Sequence, residues 1–257
     1  MEDYLLNNNF ILNYNFRTVD PRDYKLIVPQ KINISSSNTF SLQSKVKTVL
    51  DQGQIGSCVS NTFSQYINMC TLNTVNISRL SHYYCGRAIK GDSSLIDSGL
   101  NIRQAAKIIS QYGACSETDW PYNTALFNKL PPLSAFKSSL YFKKYSYSFL
   151  DQNIITFKST LSNLNLPIIF GIRVYSSFMT NTVAKSGIVP IPNITHESLK
   201  GGHCILMVGY NDNTQRFTCV NSWGTSWGQK GFFTIPYNYV TNPNLAFDFC
   251  VLQFIYK

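Results

Sequence analysis

The sequence predicts an α+β chain of two lobes with a cleft between them, and three observations carry that expectation. In the front half, apolar residues recur at helical spacing, as in Val59, Phe63, Tyr66, Ile67 and Cys70. In the back half they gather into short β-branched and aromatic runs separated by Gly, Asn and Asp. Helices first and strands afterwards pack as separate layers, unlike alternating βαβ units. With 257 residues and 44% hydrophobic content, the chain can bury a core in one domain or two closely packed lobes.

Residues 1 to 36 differ in composition from the rest of the chain. They are rich in Asn and Tyr, carry Asp20-Pro21-Arg22-Asp23, and lead into the turn-like Ser35-Ser36-Ser37-Asn38. They read as an N-terminal arm, either packed on the body or detachable. Next comes the glycine-punctuated loop Gln52-Gly53-Gln54-Ile55-Gly56-Ser57-Cys58, which delivers a thiol to the first turn of an apolar helix. Ser78 opens a second helix, with Leu80, Tyr83, Tyr84 and Ala88 on one side. Asp97-Ser98-Gly99 is a turn, after which Asn101 caps a helix whose face is Ile102, Ala105, Ala106 and Ile109, stopped by Gly113. Trp120-Pro121-Tyr122 and Pro131-Pro132 mark a crossing, and Ile154, Ile155, Lys158 and Leu161 predict a helix over 152–164. Strands are expected at Ile168–Val174, Cys204–Tyr210, Phe217–Val220, Gly231–Ile235 and Cys250–Ile255.

Bulk charge and cysteine usage narrow the function classes. The net charge of +9 is scattered, with no basic run longer than Lys143-Lys144 and no nucleic-acid-binding motif, so no nucleic-acid partner is expected. Seven cysteines form an odd set without CxxC pairs, which argues against a zinc site and against a fully paired secreted framework. The start Met1-Glu2-Asp3 followed by Asn7-Asn8-Asn9 is not a signal peptide, and no run of about 18 apolar residues spans a membrane. The expectation is an intracellular monomer without cofactor or membrane partner; a virion or lysosome-like compartment stays open.

Three residues bear chemistry. A cysteine at a helix start sits where unpaired N–H groups and the helix dipole favour negative charge, so the Cys58 thiol is drawn toward thiolate. Of the three histidines, His82 lies in a helical stretch and reads as structural, and His196 reads as an exposed loop residue. His203 follows Gly201-Gly202 and opens the strand Cys204-Ile205-Leu206-Met207-Val208, at a strand end with small neighbours that leave room for a ligand. In Asn221-Ser222-Trp223-Gly224, Asn221 can orient an imidazole through its side-chain carbonyl while Trp223 shields that bond from water. A thiol, an imidazole and a group that holds the imidazole satisfy the logic of an activated nucleophile.

Over residues 40–257 the chain resembles a papain-type, cathepsin-like cysteine peptidase. His203 and Asn221 follow Cys58 by 145 and 163 residues, close to the spacing of that family. The resemblance implies a papain-like two-lobed fold, with a helical lobe over about 50–125 and a β-barrel-like lobe over about 126–257. It implies Cys58 as nucleophile, His203 as base and later acid, Asn221 as the orienting residue and Gln52 as an oxyanion-hole donor. A thiolate–imidazolium pair would exist before a polypeptide substrate arrives. Gly99 and Leu100 resemble the backbone-binding strip for an extended substrate, Gly202 its counterpart on the opposite wall, and Trp223 joins them as a substrate-binding residue.

The sequence also departs from the family. Val59 replaces the usual aromatic residue after the nucleophile, and Ile55 stands where a disulfide-forming Cys is common. Pro167-Ile168-Ile169-Phe170-Gly171 and Tyr112-Gly113-Ala114-Cys115 look like bacterial or large-DNA-virus members, and the short segment between Cys58 and Gly99 favours endopeptidase activity. Phe40-Ser41-Leu42 resembles the start of a mature domain spanning 39–257, leaving residues 1–38 as a short candidate propeptide whose Tyr14-to-Asp23 stretch lies on or near the cleft. The rival readings are a catalytically silent binding protein of the same fold and a thiol acyltransferase.

Overall fold

A computed structural model describes residues 10–17, 20–21, 23–28, 38–93, 95–139 and 145–254. The expected turn at Ser35-Ser36-Ser37 and the expected strand end at Ile255 lie outside the described residues. The first helix, α1 (Cys58–Cys70), is buried along all of its length from Cys58 to Met69. The sequence predicts one apolar face; the helix is enclosed on every side. Several of its polar side chains find partners there. Thr62 Oγ1 donates to the carbonyls of Cys58 (2.9 Å) and Cys204 (3.1 Å), and the Tyr66 hydroxyl donates to Leu252 O at 2.6 Å. A buried hydroxyl without such a partner would cost the desolvation of that group.

Two helices pack against α1. In α2 (Arg79–Lys90) the Ser78 side chain accepts from Ser81 N, as the capping expectation requires. Leu80 and Tyr83 are buried, but Ala88 is exposed and Gly86 and Arg87 take the inner positions. Arg87 turns inward because Ile96 and Phe127 offer backbone carbonyls to its guanidinium. In α3 (Ile102–Gln111) Asn101 and Gln104 form a reciprocal capping box, and Ile102, Ala105, Ala106 and Ile109 are buried as expected. Gly113, at φ +73°, adopts the left-handed conformation that stops the helix.

The described strands form one antiparallel sheet. They are β1 (Thr39–Ser41), β2 (Tyr145–Phe149), β3 (Ile168–Tyr175), β4 (Leu199–Asn211), β5 (Arg216–Val220), β6 (Phe232–Pro236) and β7 (Ala246–Phe254). Their order is β2-β7-β3-β4-β5-β6, with β1 also paired to β4. Central β4 is longer than expected. His203 therefore lies within the strand, opposite Ile172 of β3, and not at its end. Gly201 and Gly202 continue the pairing opposite Val174 and Arg173.

Four further helices complete the described chain: α4 (Leu133–Ser139), α5 (Ile154–Ser162), α6 (Asn181–Ser186) and α7 (Tyr237–Val240). The predicted helix over 152–164 is the shorter α5, with Ile155 exposed and Phe157 and Leu161 packed inward. Short β1, β2, α6 and α7 escape a periodicity reading because each offers at most two turns or pleats. None of the seven cysteines is in a disulfide. Among the described residues no helix is long and apolar enough to cross a membrane.

The Asn101 cap has a measurable weight. Asn101→Ala removes the side-chain acceptor at the start of α3 and is expected to cost about 1 kcal/mol. In thermal unfolding this reads as a fall of about 2–4 °C in Tm.

Candidate active site

The start of α1 meets the middle of β4. The Cys58 thiol faces the backbone N–H of Cys204, the residue next to His203, and Thr62 one turn further on bonds the Cys204 carbonyl. The loop before Cys58 is held from three sides. Gly53, at φ +60°, donates to the Asp51 carboxylate, and Gly56 N donates to both Asp97 oxygens at 2.8 and 3.0 Å. Tyr122, from the Trp-Pro-Tyr crossing, pairs its hydroxyl with Ser57 Oγ and donates to Gln52 O at 2.8 Å.

Gln52 is fully buried and its amide is oriented by a neighbour. Ser222 Oγ donates to Gln52 Oε1 at 2.7 Å, and Gln52 N donates to Ser222 O at 2.8 Å. With its oxygen engaged, the side chain presents Nε2 as the donor, 3.2 Å from the carbonyl of Ile11 and 3.1 Å from that of Ile55. The loop carrying Ser222 also carries Asn221, whose Oδ1 is 2.8 Å from His203 Nε2. Trp223 stacks on the His203 ring at 4.7 Å between centroids, an apolar cover over that bond. The second ring nitrogen, Nδ1, is buried without a hydrogen-bond partner.

An N-terminal stretch, Phe10 to Arg17, threads between the two walls. Tyr14 N donates to Gly202 O and Asn15 N to Leu100 O, both at 3.0 Å. The side-chain amides of Asn13 and Asn15 donate to the carbonyls of Asp97 (2.7 Å) and Ser98 (2.8 Å). Phe10 stacks on Trp223 at 4.2 Å. The approach is so close that a Cβ on Gly99 would stand 1.7 Å from Asn13 O, and one on Gly202 would stand 2.6 Å from Tyr14 O. Beyond the cleft the segment is tied by Arg103, which pairs with Asp20 at 2.6 Å and with Asp23. Tyr24 and Leu26 exchange backbone bonds with Phe149 of β2.

Enclosure sets the protonation of the site. Burial pushes the Cys58 thiol up to about 12 and the His203 imidazole down to about 4. Burial thus favours the uncharged thiol and the uncharged imidazole. The helix start favours a thiolate only weakly, and desolvation outweighs it. His82, also buried, sets its Nε2 3.0 Å from Ala105 O in the core, and His196 is exposed, both away from the cleft.

Of the site residues expected from sequence, Gln52, Gly99 and Leu100 on the helical side and Gly202 and Trp223 on the sheet side meet the N-terminal segment, His203 is tied to Asn221 and Trp223, and Cys58 lies against the residue that follows His203. Reading the sequence did not find Ser222, Tyr122, Asp97 or Asp248. Ser222 and Tyr122 sit in motifs already singled out and were legible by association. Asp248, on β7, accepts from the Tyr14 hydroxyl and pairs with Arg17 of the segment, and it carried no local signal.

Residues 29–248 match the model of the papain family cysteine proteases. An uncharacterized peptidase C1-like protein of Acanthamoeba polyphaga mimivirus is 37% identical over 217 residues, 79% of this chain and 69% of the relative. The viral cathepsin of Adoxophyes honmai nucleopolyhedrovirus is 28% identical over 77% of this chain, which spans 56% of that relative's length. The crystal structure of xylellain, a cysteine protease from Xylella fastidiosa, superposes with a TM-score of 0.86 at 30% identity, over 95% of this chain and 96% of that one. The chain belongs to the papain family of cysteine proteases.

Proposed function

We propose that this chain is a cysteine-type endopeptidase held latent by its own N-terminal segment. One observation carries the reading: a stretch of polypeptide already lies in the groove, bonded through its backbone to Gly202 and Leu100, with a peptide carbonyl on the Gln52 amide. A groove that holds an extended peptide in this way is built to hold a substrate there.

In the open state, Cys58 Sγ attacks a peptide carbonyl and His203, oriented by Asn221, passes the proton to the leaving amine. The amide of Gln52 and the N–H of Cys58 hold the developing oxyanion. Water, deprotonated by His203, then hydrolyses the acyl-enzyme and restores the thiol. The segment opposes this in two ways. It occupies the backbone-binding strip, and it excludes the water that would otherwise stabilise a thiolate and an imidazolium. Gln52, Cys58, His203 and Asn221 are all present, which favours an active enzyme over a silent homologue. Asn221 in the orienting position favours a peptidase over a thiol acyltransferase.

Severing the segment after folding tests latency directly. A cleavable sequence inserted between residues 29 and 37 allows the intact chain to fold and then be cut. Cutting replaces a tethered effective concentration of about 1 mM by the protein's own concentration. At nanomolar protein, turnover of a fluorogenic peptide and alkylation of Cys58 by iodoacetamide are both expected to rise at least about tenfold. Equal rates before and after cutting would remove the latency. In the cut chain Cys58→Ala abolishes turnover, and Gln52→Ala lowers kcat by about 10²–10³. Retained turnover in Cys58→Ala would sink the peptidase reading.

Acid shifts the same balance. His203 is held down to about 4 while covered, so the closed state binds its proton less readily than an open cleft, where an imidazole titrates near 6.5. Lowering pH from about 6.5 toward 4 therefore favours opening. The ratio of uncut to cut-chain activity is expected to climb toward one over that range, by up to about tenfold per unit for each proton taken up.

A further inference from the structure

Two buried amides near the groove have unmet hydrogen bonds. Helix α1 carries Cys58, Thr62 and Gln65 at positions i, i+4 and i+7, so all three project from one side of it. Cys58 and Thr62 are engaged by Cys204. Gln65 is only 4% exposed, and neither its Nε2 nor its Oε1 has a hydrogen-bond partner among the described residues. On the sheet side, Asn221 Oδ1 takes His203 Nε2 and the backbone N–H of Ser222, both at 2.8 Å. Its Nδ2 is buried and also without a partner among the described residues.

Both side chains line one cavity of about 10 Å³. That is close to the least space that admits a single water, about 10–15 Å³. The other polar side chains around the cavity are already committed. Asn61 donates to Ser57 O and accepts from Arg79, Thr62 donates to two carbonyls, and Ser222 Oγ donates to Gln52. The rest of the lining is apolar. Leaving a buried polar group unpaired costs about 1–3 kcal/mol. The two orphans are complementary, a donor on Asn221 and an acceptor on Gln65, and one water satisfies both.

We propose that this cavity holds a structural water, accepting from Asn221 Nδ2 and donating to Gln65 Oε1, and that Gln65 thereby acts as a positioning residue for Asn221. The role deepens the peptidase reading and rests on it. The terminal torsion of an asparagine is soft, and an amide tied at both ends no longer rocks about it. Oδ1 then stays in line with His203 Nε2 and keeps the proton on that nitrogen, leaving Nδ1 to exchange one with the thiol. The bond also favours the protonated imidazole, against the burial that disfavours it. One side of α1 thus carries the nucleophile and supports the residue that holds its base.

Two measurements test this. In a crystal structure of the full, uncut chain that resolves ordered waters, a water is expected at about 2.7–3.2 Å from both Gln65 and Asn221. A dry cavity, or a Gln65 amide bonded directly to Asn221, overturns the bridge, and that result needs no variant to fold. The second measurement is kinetic, on chains folded and then cut between residues 29 and 37. Gln65→Met replaces the amide by an apolar group of similar size. It is expected to lower kcat about tenfold with KM within about twofold, while Tm falls by no more than about 3 °C. Gln65→Glu keeps an acceptor for the water, and at about pH 5, where burial holds its carboxyl neutral, kcat stays within about threefold. With Asn221→Ala already in place, the further loss from Gln65→Met shrinks below about twofold, because the amide it positions is gone. Unchanged kcat in Gln65→Met, equal losses in Gln65→Met and Gln65→Glu, or the same fractional loss with and without Asn221 overturns the positioning role. The underlying reading is scored separately. A cut, unsubstituted chain that turns over no fluorogenic peptide and resists a thiol-alkylating epoxide sinks the peptidase reading and the positioning role with it, whereas the bridging water is decided by the electron density alone.

Discussion

The structure depends on the abutment of two dissimilar elements, the first turn of α1 and the middle of β4. Cys58 faces the N–H of Cys204, and Thr62 bonds the carbonyl of that same residue. These contacts fix a thiol from early in the chain against the residue that follows His203, from late in it. The surrounding construction serves that abutment. Burying α1 on all sides leaves its polar groups no bulk water, and two of them, Thr62 and Tyr66, bond to carbonyls of the sheet and help set the helix's height along it. The loop before Cys58 is similarly held, by Asp97 from one side and by Tyr122 and Ser222 from others.

Closing this site changes its chemistry. A thiol and an imidazole exchange a proton readily when water or a polar substrate stabilises the resulting charges. In this structure both are buried, and desolvation shifts each toward its uncharged form. The segment in turn satisfies the backbone groups of the groove, as the carbonyls of Gly202 and Leu100 and the amide of Gln52 all find partners in it. Each such bond contributes ~1 kcal/mol net. Glycines at 99 and 202 permit this approach, since a side chain at either position would collide with the segment's backbone.

Much of the site was legible in the sequence because the groups that do chemistry carry local signatures. A glycine-broken loop runs into an apolar helix at Cys58, two glycines precede His203, and paired Trp-Gly steps come after Asn221. Helix caps at Ser78 and Asn101 were equally readable, since a cap is a contact between residues three apart. The position of His203 was misjudged by a few residues. Whether Leu199–Gly202 extend the strand is decided by a partner, β3, and not by their own composition.

Sequence by itself determined the order and nature of the parts: helices before strands, the capped starts, the thiol at a helix end, and an N-terminal stretch unlike the body. Only the tertiary structure decided what that stretch covers, which charge states the covered groups hold, and that Asp248 lies beneath Tyr14. The physical reason is range. Propensity and capping act between residues a few positions apart, whereas desolvation and pocket chemistry depend on surfaces contributed by segments more than two hundred residues apart, as the Tyr14 to Asp248 contact is (234 residues).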